Sequence, residues 1–267
     1  MIISRTPHRI SFFGGGTDYP DYYLKHGGKV LGTAIDKYCY LSVRKLPPYF
    51  NHRHRIVYSK MENVNTIDEI VHPAVRETLK YLNVNYGVSV HHDGDIPARS
   101  GMGSSSSFTV GLLNTMNAIE GKIVSKEELT KEAIYIEQEL IKENVGSQDQ
   151  TLAAHGGFNL IKFSTSGEIS VVPVIVRPDQ LKNLEKSLVL VFTGISRMAS
   201  VAAGDKIKNI PNNKGYLSQM KDLVDDAYRI ITTPNKNLCE FGELLNETWK
   251  LKKRLSNEVT NPQIEEL

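Results

Sequence analysis

The order of elements along the chain predicts an α+β protein of two layers. Three observations lead there. Short β-rich stretches and amphipathic helical stretches mix without the steady strand–helix–strand rhythm of a parallel sheet. The length, 267 residues, suits one large domain or two small ones. No internal repeat is present, and no low-complexity tract beyond the serines Ser104–Ser107 breaks the pattern.

The first strand-like stretch is Ile2–Phe13, which runs into Gly14-Gly15-Gly16. A second, Lys29–Leu46, ends at the turn-forming Pro47-Pro48. The polar segment Asn51–His54 reads as a loop or strand edge carrying surface histidines, because no acidic or sulfur partner for a metal lies nearby. From His72 to Leu82 the spacing of Val75, Leu79 and Leu82 predicts a short helix. Gly87–Val90 begins a strand that ends in His91-His92-Asp93, and neighbours on a strand point to opposite faces, which disfavours a metal cluster there. A helix is expected from Ser106, burying Leu112, Leu113, Met116 and Ile119.

After Gly121 another helix starts at Ser125, whose hydroxyl and Glu128 form a capping box; Leu129, Ala133, Ile136 and Leu140 make its apolar stripe. Strands at Gly157–Phe163, Ile169–Val176 and Leu188–Thr193 follow, with helices at Asn212–Ile231 and Lys236–Leu255. In the last of these, Leu238, Phe241, Leu245, Thr248, Lys252 and Leu255 share a face that packs on a core. Asn261-Pro262, a cap residue and then proline at the first helical position, opens one more helix.

Composition excludes several classes of function. The 32 Lys and Arg nearly balance the 30 Asp and Glu, so the basic surplus of a general nucleic-acid binder is missing. No apolar run reaches the roughly 18 residues of a membrane span. The opening Met-Ile-Ile-Ser-Arg meets a charge too early for a signal peptide. Cys39 and Cys239 alone support neither a disulfide framework nor a cysteine zinc site. A soluble, reduced, cytoplasmic protein is expected, with no nucleic-acid or membrane partner.

Three segments carry chemistry. Pro97-Ala98-Arg99-Ser100-Gly101-Met102-Gly103-Ser104-Ser105-Ser106-Ser107 lies between a strand and an amphipathic helix. Its glycines allow close backbone approach, the helix start offers N–H groups and a positive dipole end, and the hydroxyls suit phosphate or Mg²⁺. Neither a Walker loop nor a serine-hydrolase elbow fits, because no Lys follows Gly103 and the elbow's glycines are missing. The second segment, Pro7–Pro20, brackets a glycine gap with Arg9 and Asp18; the guanidinium suits a transferring phosphate and the carboxylate a sugar hydroxyl. The third, Val145-Gly146-Ser147-Gln148-Asp149-Gln150, reads as a base held between two amides or as a helix-capping Asp.

Taken together these segments resemble the galactose, homoserine, mevalonate and phosphomevalonate (GHMP) kinase superfamily. Pro97–Ser105 is similar to its phosphate loop P-x-x-x-G-L-G-S-S, with Met102 in the Leu place. The stretch from Thr6 to Asp18 resembles the A-P-x-R-I-S-F-x-G-G-G-T-D form of heptose 7-phosphate kinases and of the kinase part of fucokinases. Gly146–Gln150 resembles the catalytic-aspartate motif, and Thr193–Ser200 the heptose kinase branch. The resemblance implies a two-domain GHMP fold: an N-terminal domain like ribosomal protein S5 over residues 1–165, and an α/β C-terminal domain over 166–267 that looks cut short, since no third glycine-rich motif follows Thr193.

It further implies an ATP-dependent sugar kinase that converts D-glycero-D-manno-heptose 7-phosphate to the 1,7-bisphosphate, with ATP and Mg²⁺ required. An L-fucokinase-like enzyme and a catalytically silent nucleotide- or sugar-binding homologue are the alternatives. Asp149 and Arg9 would be catalytic. Asp18, Gly15, Gly16, Thr17 and Arg197 would hold the sugar phosphate, and Pro97, Gly101, Met102, Gly103 and Ser104–Ser107 the ATP. Ser105 and Glu137 would be the metal ligands. A homodimer is compatible with the sequence, which does not fix the oligomeric state.

Overall fold

The computed structural model describes residues 1–98, 100–191, 193, 209–256 and 259–266. Contacts divide the chain into two units that are not successive in sequence. The first comprises Met1–Arg9, Ala34–Glu143 and Asp149–Gly156; the second comprises Ile10–Thr33, Asn144–Gln148 and Gly157–Leu267. Strands β1 (Ile2–Phe13) and β2 (Gly28–Lys45) contribute residues to both.

In the first unit, the second half of β2 pairs antiparallel with β5 (Val88–Gly94), so that Val43 faces Val90. Strand β5 pairs in parallel with β3 (His54–Val57), which pairs antiparallel with β4 (Met61–Val64). Alternation puts Leu41, Val43, Ile56, Val88 and Val90 on the inner face. Helices α2 (Pro73–Tyr81) and α3 (Ser104–Ile119) cover that face through Val75, Leu79, Phe108, Leu112 and Met116. Helix α3 is buried without interruption from Ser106 to Leu113, which makes it the central element of this unit. Gly111 permits its close approach to β1: a Cβ there would stand 2.6 Å from Thr6 Oγ1. Behind it, Val110 and Leu113 pack with Leu129, Ala133 and Ile136 and with Ala153 of α5 (Gln148–His155).

Helix α4 (Lys126–Tyr135) begins at the expected capping box, in which Ser125 Oγ accepts from the Glu128 N–H and the Glu128 carboxylate accepts from the Ser125 N–H. The apolar stripe through Ile136 and Leu140 continues, but the backbone widens there into a π-turn over Ile136–Leu140, with the Ile141 N–H reaching the Ile136 carbonyl. Such bulges recur at functional sites. Nothing in the spacing of apolar residues announces this one.

In the second unit the first half of β2 pairs with β6 (Phe158–Phe163), and β6 with β7 (Ile169–Pro173), all antiparallel. Five described helices accompany them: α1 (Pro20–His26), α6 (Pro178–Ser187), α7 (Ile210–Thr232), α8 (Leu238–Lys253) and α9 (Pro262–Glu265). Leu31 and Leu160 meet Val224, Ala227 and Ile231 of α7 and Phe241 of α8. The Phe12 and Phe13 rings stand edge-on to Phe241 at 5.6 and 5.0 Å, a favoured aromatic geometry. Among the described residues no helix is long and apolar enough to cross a membrane.

Three local differences from the sequence reading have physical causes. His54 is buried at 1% exposure, not a surface histidine, because β3 lies between β4 and β5 and alternates His54 and Ile56 inward. Residues 188–191 form no strand; Val189 is 84% exposed, and among the described residues no strand pairs with this apolar run. Helices α1 and α6 were not expected from the sequence; each has a proline at its first turn, followed by an Asp that favours a helix start.

Candidate active site

The phosphate-loop segment takes the shape its glycines allow. Gly101 and Gly103 stand at φ 77° and 75°, the left-handed region open to glycine, and Gly103 is the N-cap of α3. Gly103 has no side chain to cap that first turn, and the first-turn N–H groups of α3 belong to the end of the helix that favours anions. Around Gly101 a Cβ would meet nothing within 4 Å. Pro97, Gly101 and Ser105 are exposed, and Met102, Gly103 and Ser104 are half-buried.

Arg9 ties this loop to Asp149. Its Nε donates to Asp149 Oδ1 at 2.7 Å and its Nη2 to Oδ2 at 2.5 Å, a fork-on-fork pair. Its Nη1 donates to the Gly101 carbonyl at 2.7 Å, and its backbone N–H to the Met102 carbonyl at 3.2 Å. Gly103 lies flat against the side chain, where a Cβ would come within 3.2 Å of Arg9 Cγ. The counter-charge of Arg9 is thus Asp149. The flanking amides do not hold Asp149: Gln148 accepts from Ser11 Oγ at 2.6 Å, and Gln150 turns to Glu137.

Glu137 is the most deeply placed carboxylate of the first unit, at 0% exposure in the π-turn. Burial pushes it up to about 7, against the nearby polar groups of Thr109, Ser106 and Gln150, which favour its charged form; nearby Glu143 raises it further. The hydroxyl that reaches it is Ser106 Oγ, 2.9 Å from Oε2, while the expected partner Ser105 is exposed. Glu137 Oε1 is buried with no hydrogen-bond donor. Mg²⁺ is usually held by one or two carboxylates together with substrate phosphates. An ionisable oxygen lacking a donor, beside a serine at the start of the phosphate-loop helix, fits such an ion.

Ser107, an expected ATP contact, holds its hydroxyl inside the protein. Its hydroxyl is 0% exposed and donates inward to the Pro7 and Gly103 carbonyls.

The glycine turn at residues 14–18 is built differently. The Thr17 hydroxyl, 0% exposed, shares its one proton between the Gly14 and Lys29 carbonyls at 2.8 and 2.9 Å and accepts from the Lys29 N–H. Thr17, an expected sugar contact, therefore uses its hydroxyl to close the turn. Asp18, at 1% exposure, accepts the Gly16 N–H on Oδ1 at 2.9 Å and the Gln148 N–H on Oδ2 at 3.3 Å. Gly146 makes this fit, since a Cβ there would lie 1.9 Å from Asp18 Oδ2. Gly146's part depends on Asp18, 128 residues away, and no local signal announces it. Arg197 lies outside the described residues.

Residues 67–157, which include α3, the π-turn and α5, match the family model described as the GHMP kinases N terminal domain. These residues form a GHMP kinase N-terminal domain. Among curated relatives, the D-glycero-alpha-D-manno-heptose 7-phosphate kinase of Campylobacter jejuni is 28% identical, over 100% of this chain and 81% of its own length. The L-fucokinase/L-fucose-1-P guanylyltransferase of Bacteroides fragilis is 26% identical, over 99% of this chain but only 32% of that protein. A solved structure of a D-glycero-D-manno-heptose 1-phosphate kinase from Bacteroides thetaiotaomicron matches with a TM-score of 0.79 at 22% identity, covering 95% of this chain and 80% of that one. That likeness establishes the GHMP kinase fold of the chain, a mixed α+β architecture.

Proposed function

We propose that this GHMP kinase homologue transfers the γ-phosphoryl group of ATP to the anomeric hydroxyl of D-glycero-D-manno-heptose 7-phosphate. The observation that carries the reading is the Arg9 fork, which holds Asp149 and the Gly101 carbonyl at once. A phosphoryl-transfer site needs a positioned carboxylate, a cation for developing charge and a phosphate cradle. Here one guanidinium sets the geometry of all three.

In this reading Asp149 orients the anomeric hydroxyl and accepts its proton as the sugar oxygen bonds to phosphorus. The bond from phosphorus to the β-phosphate bridging oxygen breaks, and ADP leaves. Arg9 offsets charge on the transferring group, for which its planar donors suit. The α3 N-terminus and the Gly101–Ser106 backbone hold the phosphates. Glu137, with Ser106 or Ser105, would hold Mg²⁺, which when bound supplies positive charge to the phosphate oxygens. The resemblance assigns the sugar to Asp18, whose carboxylate also accepts the Gly16 and Gln148 N–H groups, and to the neighbouring Gly15 and Gly16.

The heptose assignment draws on the similarity to the Campylobacter jejuni kinase over the whole chain. The fucokinase-like reading draws on the Bacteroides fragilis relative. Turnover with ATP and each sugar separates them. The expected result is a heptose 1,7-bisphosphate; equal or faster phosphorylation of L-fucose overturns the heptose assignment.

A further inference from the structure

Glu137 has a buried partner whose chemistry the reading above leaves unused. Gln150 is 0% exposed and directly follows Asp149 on α5. Its amide N–H donates to Glu137 Oε2, the oxygen that also accepts from Ser106. Two oxygens of this touching pair are then left without a donor: Glu137 Oε1 and Gln150 Oε1, both buried. An unsatisfied buried acceptor carries a penalty of about 1–3 kcal/mol, so two in one pair call for an explanation.

The surrounding groups offer no remedy. The Thr109 hydroxyl donates to the Ser105 carbonyl, and Glu143 brings another negative charge toward Glu137. What would satisfy both is positive charge with an affinity for hard oxygens, and carboxylate and amide oxygens are the ligand class that Mg²⁺ and Mn²⁺ take.

We propose that Gln150 is a further residue of the divalent-cation site. Its carbonyl oxygen takes the ion, directly or through a bound water, while its N–H fixes the Glu137 carboxylate. The proposal rests on the reading of Glu137 as the metal's carboxylate. It also gives the sequence Asp149-Gln150 a joint meaning: adjacent residues on α5 address the Arg9 centre and the cation.

Mn²⁺ binding to the full chain with a non-hydrolysable ATP analogue, followed by the paramagnetic resonance of free Mn²⁺, tests this without turnover. Gln150→Leu removes oxygen and donor together and is expected to weaken Mn²⁺ by about 10–100-fold, the usual effect of losing an outer partner at a metal site. Gln150→Glu keeps an oxygen and loses the donor, so its affinity should return to within a few-fold of the parent chain. Unchanged Mn²⁺ binding in Gln150→Leu overturns the proposal. Equal weakening in both variants also overturns it, since the N–H alone would then matter. If Gln150→Leu does not fold, Gln150→Glu decides: near-parental binding supports the proposal, and a loss beyond about ten-fold overturns it. Glu137→Gln separates the underlying reading. If it binds Mn²⁺ like the parent, the metal assignment itself fails; if it alone weakens binding, only the role of Gln150 falls.

Discussion

Gly14 and Gly101 both sit at positive φ, 82° and 77°, yet a Cβ at Gly14 would lie 1.9 Å from the Lys29 carbonyl oxygen, whereas at Gly101 it would meet nothing within 4 Å. The two glycine-rich turns therefore use the same residue for different purposes. In the turn at 14–18, glycine lets backbone pack on backbone, and the polar groups of Thr17 and Asp18 are largely taken up by the chain itself. In the turn at 101–103, glycine sets a left-handed bend, and the side chain that fastens it, Arg9, comes from a distant strand. The first turn is built for packing. The second leaves its outer face free for a ligand, as phosphate binding by backbone requires.

Alanine at the two positions is the sharpest way to break that comparison. Gly14→Ala combines left-handed strain with a backbone clash, and a loss above about 3 kcal/mol is expected in denaturant unfolding. Gly101→Ala meets only the strain, about 1–2 kcal/mol. Equal losses would mean that the turns do not differ as described.

A smaller effect is expected from acid. His72 stacks on Phe108 at 4.6 Å with Tyr58 edge-on at 4.8 Å, and burial lowers its pKa from 6.5 to about 4, with His92 lowering it further. Because the folded ring resists a proton that the unfolded chain accepts, stability falls as pH drops from about 6.5 to about 4 and levels off below. The loss is up to about 3 kcal/mol for this group. His72→Phe keeps the stacked ring and should flatten the slope of unfolding free energy against pH; an unchanged slope would assign the acid sensitivity elsewhere. His8, His54 and His92, also lowered by burial, add to the parent's slope and remain in the variant.

Much of the fold was legible because its signals are local. Ile2–Phe13 forms the expected strand, Ser125 and Glu128 make the expected cap, and Asn261 accepts from the Ile264 N–H at the start of α9. The phosphate-loop glycines declared themselves by type and spacing. What the sequence could not declare depends on partners far along the chain. Arg9 and Asp149 stand 140 residues apart, and only the folded strand shows that they pair with each other. Ser106 rather than Ser105 reaches Glu137 because a helical repeat of 3.6 residues turns that hydroxyl inward, a phase that depends on where α3 starts. Leu188–Val191 failed as a strand for the complementary reason, an apolar run with no described neighbour to pair with.

The most direct test concerns the Arg9–Asp149 centre, measured as turnover and nucleotide affinity side by side in Asp149→Asn. Asparagine keeps the shape of the side chain but loses the charge and the capacity to accept a proton. Turnover is expected to fall by more than about 10²–10³-fold while ATP affinity stays within a few-fold. Near-normal turnover in that variant would contradict the account.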